Sequence, residues 1–586
     1  MRAIDPPMDL PVDPPVDPPM DPIAQLTGAG GPFEIVVEDV VGHPMQVYKQ
    51  RMKSLRDLMA QNGPRAGVDW LVQDERRLTY GEHDRLARVL AKALGDLGIE
   101  RGDRVALVSA NVPEWVIVWW ACAILGATLV PLNAWWKAEE LEFGLGDSGA
   151  KVLIADARRL AIVRDRLTSL AALQHVFVID GAGDETARPF SELVASSGDP
   201  GIPDSPIDED DILAILYTSG TTGKPKGATV SHRQAIANVQ NIIVMGVSQA
   251  MRGTPPPEAE AGLQTANLLV VPLFHVTGCL STMTLAYATG AKVVLMPVGR
   301  FDPDVAMETI EREKVTSIGG VPTVMWRILE SPNLDKFDLT SVKRASYGGA
   351  PAPTELVERI EQVFPHMRKT LTTAYGLTET ASVATAHGGD DYFAHPGSVG
   401  RAAPTVELRV VDDQGHDAPP GERGEIWLKG PTVMAHGYWR RPDANAAAFT
   451  DGWFHSGDIG YLDPDGFLFL VDRAKDMIIR AGENVYCVEI ENVLFDHPDV
   501  VDAAVVGVAH KTLGEEVKAV VQLRSGSNTT EEELRAFCRE HLADFKVPEY
   551  VELRTEPLPR NPAGKVLKNL LRGGESAFAT SDDQAL

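Results

Sequence analysis

The chain has 586 residues and a formal net charge of −27, from 55 basic and 82 acidic side chains. It is too long for one ordinary core, and too acidic for a surface that grips nucleic acid or an anionic membrane. Its cysteines, Cys122, Cys279, Cys487 and Cys538, lie far apart, which fits neither a disulfide framework nor a zinc site and points to a reducing cytoplasm.

The N-terminus "MRAIDPPMDLPVDPPVDPPMDP" repeats a Pro-Pro-Asp theme and has no apolar stretch of its own. It reads as a disordered extension over residues 1–30 with polyproline character, not as a signal or transit peptide. From Thr79 onward helix and strand signals alternate. Leu86, Val89, Leu90, Ala93, Leu94 and Leu97 recur at helical spacing, and "RVALVSAN" follows as a short buried strand. The apolar run "WVIVWWACAILGATLVPL" is long enough to raise a membrane span, but Gly126, Thr128 and Pro131 interrupt it. A buried helix followed by a strand is the expectation, with no transmembrane segment.

Further strands are expected at "AKVLIAD", "DDILAILYTS", "NLLVVPL", "AKVVLMP" and "VKRASYGGA", apolar runs of the kind covered on both faces in an α/β domain. After about Pro404 the pattern changes to "VELRVVDDQG", "GEIWLKG" and "GFLFLVDR", which end at Gly and Asp turns and predict a β-rich subdomain over 404–474. Beyond it, residues 475–572 read as a separate α+β domain. Two strands there precede a helix opened by a capping box from Thr530 to Glu533, with Leu534, Phe537, Cys538 and Leu542 on one face. Residues 573–586 read as a frayed end.

The stretch "YTSGTTGKPKG" from Tyr217 gathers glycines, hydroxyls, Lys224 and Lys226 in eleven positions. It departs from the common phosphate loop, since Pro225 follows Gly223-Lys224 and Thr218 stands where the first glycine belongs. A strand, "ATVSH", comes before the next helix, so the loop reads as a hairpin tip. Its N–H groups, hydroxyls and lysines face phosphate without a helix dipole behind them. A ligand-free polar turn would explain a shorter stretch; this one is too long for that.

Three more segments stand downstream: "TAYGLTET" from Thr373, "GWFHSGDIG" from Gly452 with "VDRAKDMIIRAGENVYCVEIE" after it, and "PLPRNPAGKVLK" from Pro557. In this order the four segments resemble the adenylate-forming superfamily of acyl-CoA synthetases, luciferases and peptide-synthetase adenylation domains, from roughly Leu78 to Arg572. The resemblance implies a large N-terminal α/β domain of layered sheets over 31–474 and a small mobile C-terminal domain. It also implies a two-step reaction: a carboxylic acid and ATP give an acyl-adenylate and pyrophosphate, then coenzyme A displaces AMP.

On that resemblance Lys565 bridges the attacking carboxylate and the phosphate, while Thr378 and Glu379 contact the α-phosphate and Glu379 holds Mg²⁺. Asp458 accepts from both ribose hydroxyls, and Arg473 contacts ribose or phosphate. Gly348, Gly349, Ala350, Ala374, Tyr375 and Gly376 wall the adenine. Thr218, Ser219, Gly220, Thr221, Thr222, Gly223 and Lys226 form a clasp on the leaving pyrophosphate. Lys475 is the pivot of the C-terminal domain, and Gly482 and Glu483 line the coenzyme A tunnel. Cys487 stands where the family often has proline. Taken singly, Lys565, Glu379 and Asp458 would read as a surface lysine, a loop acid and a turn former.

The acyl pocket is expected to use His275, Val276, Gly349, Gly376 and Leu377. Phe274 is followed by His275, where amino-acid-activating relatives place an aspartate for the ammonium, so an uncharged acyl or aryl acid is favoured. His275 resembles an aromatic gate residue, and a satisfied core histidine is compatible with that. No carrier domain follows Lys565, which makes free coenzyme A the expected thiol and a separate carrier protein the alternative. A non-catalytic relative would be expected to lack Lys565, Glu379 or Asp458, and no GxSxG element supports a hydrolase. The acid itself and the oligomeric state stay open, a homodimer being one option.

Overall fold

The computed structural model describes residues 21–218, 225–253, 263–320, 322–348, 354–473, 476–480, 483–560 and 565–573, with the side chains at 322–323, 354–355, 473 and 483–484 outside the description. A helix that is apolar on every side has to be enclosed on every side. The helix Pro113–Leu125 meets that demand: no residue from Trp115 to Ile124 is more than 2 % exposed. It shares one core with Leu71 and Val72 of one sheet and Val105, Leu107 and Leu129 of another. The run that raised a membrane span is therefore a core helix followed by the strand Thr128–Pro131, and among the described residues no helix is long and apolar enough to cross a membrane.

The larger sheet has nine strands in the order Arg401–Ala402, Thr385–Gly388, Leu371–Tyr375, Arg344–Gly348, Ser317–Gly320, Ala266–Leu269, Lys292–Leu295, Asp69–Gln73 and Arg76–Thr79. From Leu371–Tyr375 to Asp69–Gln73 neighbouring strands run parallel. In such sheets ligands collect outside the carboxyl ends of the strands. Glycines and the "TAYGLTET" segment stand at those ends here. The second sheet has seven strands, and at its edge Ile212–Thr218 folds back as an antiparallel hairpin on Lys226–Ser231. Ser231 then caps the helix His232–Met251, its hydroxyl accepting from Gln234 N–H. The order strand, loop, strand, helix is the one expected around the phosphate stretch, whose tip at 219–224 lies outside the described residues.

Strands between Glu407 and Arg473 make a five-stranded antiparallel sheet, and another five-stranded sheet spans Ile478 to Arg554. In the latter region Thr530 and Glu533 form the expected capping box, and the helix Glu531–His541 buries Leu534 and Cys538.

One expectation is corrected. The extension read as disordered over 1–30 carries a helix at Pro22–Thr27, started by the proline at its first position. Its Ile23 and Leu26 pack with Tyr48 and Val244, giving the short segment an apolar contact that the proline-rich composition hides. Tyr48 ends a hairpin, Ile35–Val40 with His43–Tyr48, that was not anticipated. Residues 1–20 lie outside the described set.

Candidate active site

The segment after the strand Leu371–Tyr375 turns back immediately. A Cβ on Gly376 would lie 1.4 Å from the Ser382 carbonyl oxygen, so only glycine fits. Leu377 N–H donates to Thr380 Oγ1 at 2.9 Å, Thr378–Thr380 forms one 3₁₀ turn, and Ala381 and Ser382 take the left-handed φ values of 50° and 97°. Strained backbone of this kind clusters at functional sites. The turn fixes Glu379: its carbonyl accepts from Met434 N–H, and its Oε1 accepts from Tyr438 Oη, both at 2.8 Å. The Tyr438 ring in turn carries the Lys226 ammonium 5.1 Å from its centroid. A carboxylate, a phenol and a lysine at the base of the phosphate hairpin are thus brought together from three parts of the chain.

Tyr438 was not among the expected site residues. Its signal was "HGYWRRP": Gly437 sits at φ 64°, where a Cβ would strike Asn445, and Tyr438 N–H donates to that Asn445 Oδ1 at 2.7 Å. The same segment bonds to the hairpin through Trp439 N–H to the Gly227 carbonyl.

Asp458 is buried at 6 % exposure and accepts from Tyr375 Oη at 2.8 Å. Tyr375, expected as an adenine wall, therefore also orients the carboxylate assigned to ribose. Asp458 and Arg473 are register partners on adjacent strands. Gly348 and Ala374 are likewise register partners at the strand ends, and a Cβ on Gly348 would lie 3.0 Å from the Ala374 carbonyl oxygen. Thr218 ends its strand with its hydroxyl donating to the Lys226 carbonyl.

Asn111 holds the segment that leads to His275, accepting from Leu273 N–H at 2.8 Å and donating to the Val271 carbonyl at 2.9 Å. Phe274 packs edge-on against Trp135 and beside the His275 ring. His275 Nε2 is buried with no hydrogen-bond partner among the described residues, and burial pushes the imidazole down to about 4, so it is neutral at pH 7. Val276 joins the main core, whereas Leu377 packs with Tyr375 in a neighbouring cluster.

Lys565 is exposed. The bridge between Arg560 and Val566 and the bond from Leu567 N–H to the Pro559 carbonyl close the hairpin that carries it. Lys568, just beyond, is held 2.8 Å from Glu491. Burial alone would lower its pKa, but Glu491, Cys487 and Asp472 outweigh that and hold it above the usual lysine range. Cys487 uses the amide that a proline would lack: its N–H donates to the Asp472 carboxylate, and its thiol to the Asp476 carbonyl at 3.1 Å. Ser219, Gly220, Thr221, Thr222, Gly223, Gly349, Ala350, Lys475 and Gly482 lie outside the described residues, as do the side chains of Arg473 and Glu483.

With this geometry in place, the chain matches the model of the AMP-binding enzymes over residues 59–439 and that of the AMP-binding enzyme C-terminal domain over 489–565. It is 37 % identical over 499 residues to a feruloyl-CoA synthase of an Amycolatopsis species, covering 84 % of this chain and 93 % of that one. It is 35 % identical to the 3-[(3aS,4S,7aS)-7a-methyl-1,5-dioxo-octahydro-1H-inden-4-yl]propanoyl:CoA ligase of Rhodococcus jostii, covering 85 % and 93 %. Among solved structures, an anthranilate CoA ligase in complex with anthranoyl-AMP superposes with a TM-score of 0.78 at 26 % identity, over 89 % of this chain and 96 % of that one. The chain belongs to the AMP-binding enzyme family, in its acyl-CoA synthetase group. It is an ATP-dependent, AMP-forming acid–thiol ligase that works through an acyl-adenylate.

Proposed function

We propose that activation takes place outside the carboxyl ends of the nine-stranded sheet, and that the acid is an aryl or alicyclic one taken without an ammonium group. The observation that carries this reading is the convergence of Glu379, Tyr438 and Lys226 beside the buried Asp458–Tyr375 pair. In the first step a carboxylate oxygen attacks the α-phosphorus and the bond to the β-phosphate oxygen breaks. Lys565, brought in by its hairpin, neutralises both anions; Thr378 donates to the α-phosphate, and Asp458 fixes the ribose. Thr218, Lys226 and the hairpin tip between them hold the departing pyrophosphate.

Glu379, held by Tyr438 and its own backbone, is together with substrate phosphates the donor set that would hold magnesium. Bound there, the ion supplies positive charge against the phosphate oxygens. In the second step the coenzyme A sulfur attacks the acyl carbon and AMP leaves. Residues 475–572 turn about Lys475 between the steps, and Gly482 and Glu483 flank the thiol's path. The neutral, buried His275 and the Phe274–Trp135 contact make that wall of the acyl site aromatic and uncharged, which suits an aryl or ring-bearing acid. The enzyme works in the cytoplasm, where its four buried, unpaired cysteines stay reduced.

The experiment is a panel of aryl, alicyclic and fatty acids scored for pyrophosphate release with and without coenzyme A. Turnover concentrated in ring-bearing acids, with thioester as product, is expected. A preference for unbranched fatty acids would overturn the substrate assignment, and acyl transfer to a carrier protein but not to coenzyme A would overturn the acceptor.

A further inference from the structure

Parallel strands in the middle of a sheet are normally covered on both faces. Here one face of three central strands is covered and the other is open. Ile318, Ala345 and Leu371, side by side in register, are buried. The intervening residues are not: Arg344 and Ser346 are exposed, and Gly319, Thr372, Gly348 and Ala374 are half-buried. That open face runs up to Gly348 and Ala374, the strand ends assigned above to the reacting centre. It is paved with small side chains, the Ser346 hydroxyl lying 3.2 Å from where a Cβ on Gly319 would be. One flank closes at Leu269 and Val293, both buried; on the other, Gln249 of the helix His232–Met251 reaches Gly388.

The opposite end of this cleft is polar. Asn267, Ser317 and Arg344 are successive register partners on three adjacent strands and form a row across it. Among the described residues none of the three makes a side-chain hydrogen bond or an ion pair. Arg344 is open to solvent, yet crowding by protein lowers its guanidinium below the ordinary arginine value, with no carboxylate acting the other way. Its charge therefore stands without a counter-charge among the described residues. In a chain with 82 acidic side chains against 55 basic ones, a local acidic partner would have been easy to supply. From Arg344 to Gly348 the strand spans about 13 Å at roughly 3.3 Å per residue, the length of a ring-bearing acid laid along it.

We propose that Arg344, with Ser317 and Asn267 beside it, determines specificity by donating to an oxygen acceptor at the far end of the acid. The preferred substrate is then a flat or multi-ring carboxylic acid with a carbonyl or second carboxylate remote from the group activated, not a plain hydrocarbon acid. The cleft between row and strand ends gives shape, and the row gives discrimination. A site that hydrogen-bonds a substrate oxygen rejects the analogue lacking it, because its own donors are then left unpaired. This inference rests on the placement of the reacting centre at the strand ends.

The test uses three matched probes: 3-(6-acetylnaphthalen-2-yl)propanoate, its 6-carboxy counterpart and its 6-isopropyl counterpart. Binding to the full-length enzyme is measured by calorimetry, and turnover by pyrophosphate release with ATP and coenzyme A. The wild-type enzyme is expected to bind at least one oxygen-bearing probe about tenfold or more tighter than the isopropyl acid, with the difference appearing in KM more than kcat. Arg344→Met should reduce that ratio to within about threefold, by weakening the oxygen-bearing probe and easing the penalty on the isopropyl acid, and Arg344→Lys should restore part of it for the carboxylate probe only. Preference for the acetyl probe identifies the distal group as a carbonyl, and preference for the carboxy probe as a second carboxylate. Equal binding of all three by the wild type, or an equal loss on all three in a folded Arg344→Met, overturns the proposal. Absence of acid-dependent pyrophosphate release with every probe, despite discriminating binding, would instead count against placing the reacting centre at the strand ends.

Discussion

In the proposed mechanism two regions of the molecule handle the same anionic substrate in opposite ways. At the strand ends the functional groups are fixed before anything binds: Asp458 is 6 % exposed and held by Tyr375, and Glu379 is fixed by Tyr438 and by its own backbone. In the C-terminal sheet region Lys565 sits exposed on a hairpin, and the fixed groups are at that hairpin's root, where Lys568, Glu491, Asp472 and Cys487 meet. The difference teaches which part has to move. On the proposed mechanism a ribose and a metal site gain from preorganisation, whereas a lysine that would serve one half-reaction and clear the way for the next has to be delivered.

The largest expected effect separates the two regions cleanly. Lys565→Ala should lower acid-dependent pyrophosphate release by about 10³-fold, the scale of losing one well-placed charge stabiliser, while ATP binding by calorimetry stays within about threefold. Adenylation at wild-type rate in that variant would remove Lys565 from the chemistry. Glu379→Gln keeps an acceptor for Tyr438 but loses the charge. A fall of about 10²-fold is expected, with a higher magnesium concentration needed for half-maximal rate; an unchanged magnesium dependence would mean that the ion is held elsewhere.

Moving the comparison to the junction, Lys475→Pro should impair thioester formation more than adenylation. Equal loss in both half-reactions would speak against alternation of the C-terminal region. At the hairpin root, Lys568→Met leaves Glu491 facing a buried methionine, and about 3 kcal/mol of stability is expected to go, on the scale of breaking a buried ion pair. Chemical denaturation reads this directly. A change below about 0.5 kcal/mol would show the pair to behave as a surface one.

Much of this contrast could be read in the sequence, and the reasons for the rest are physical. The enclosed helix after Val112 announced itself by apolar residues on all sides, and the Thr530–Glu533 capping box by side-chain chemistry local to four residues. Strand order was invisible, because register between Ser317–Gly320 and Arg344–Gly348 depends on partners far apart in the chain. The site was legible where a motif carries both the residue and its support, as at Thr378–Thr380. It was not legible at Tyr438, whose partner Glu379 is distant in the chain. Cys487 reads from sequence as a departure from the family's usual proline, and only the structure shows its amide bonded to Asp472. The helix at Pro22–Thr27 was masked by prolines before it, since its stability comes from Tyr48 and Val244.

The smallest effect distinguishes the regions by acid. His232 and His275 are both pushed down to about 4 by burial in the large region, against about 6.5 in an unfolded chain. Because the folded state binds fewer protons than the unfolded one across this interval, their contribution is complete above about pH 6.5 and is lost as pH falls towards 4. Between about pH 6.5 and 5.5 each histidine should remove about 1 kcal/mol of stability. His232→Gln keeps an acceptor for the Leu55 N–H that now donates to His232 Nδ1, and should flatten the pH dependence by one histidine's share. Hydrogen exchange read at both pH values should place the loss in the nine- and seven-stranded sheets before the C-terminal one. An unchanged slope in the His232→Gln, His275→Gln double variant would show that the strand-end region tolerates these two charges, and that its rigidity does not depend on keeping them neutral.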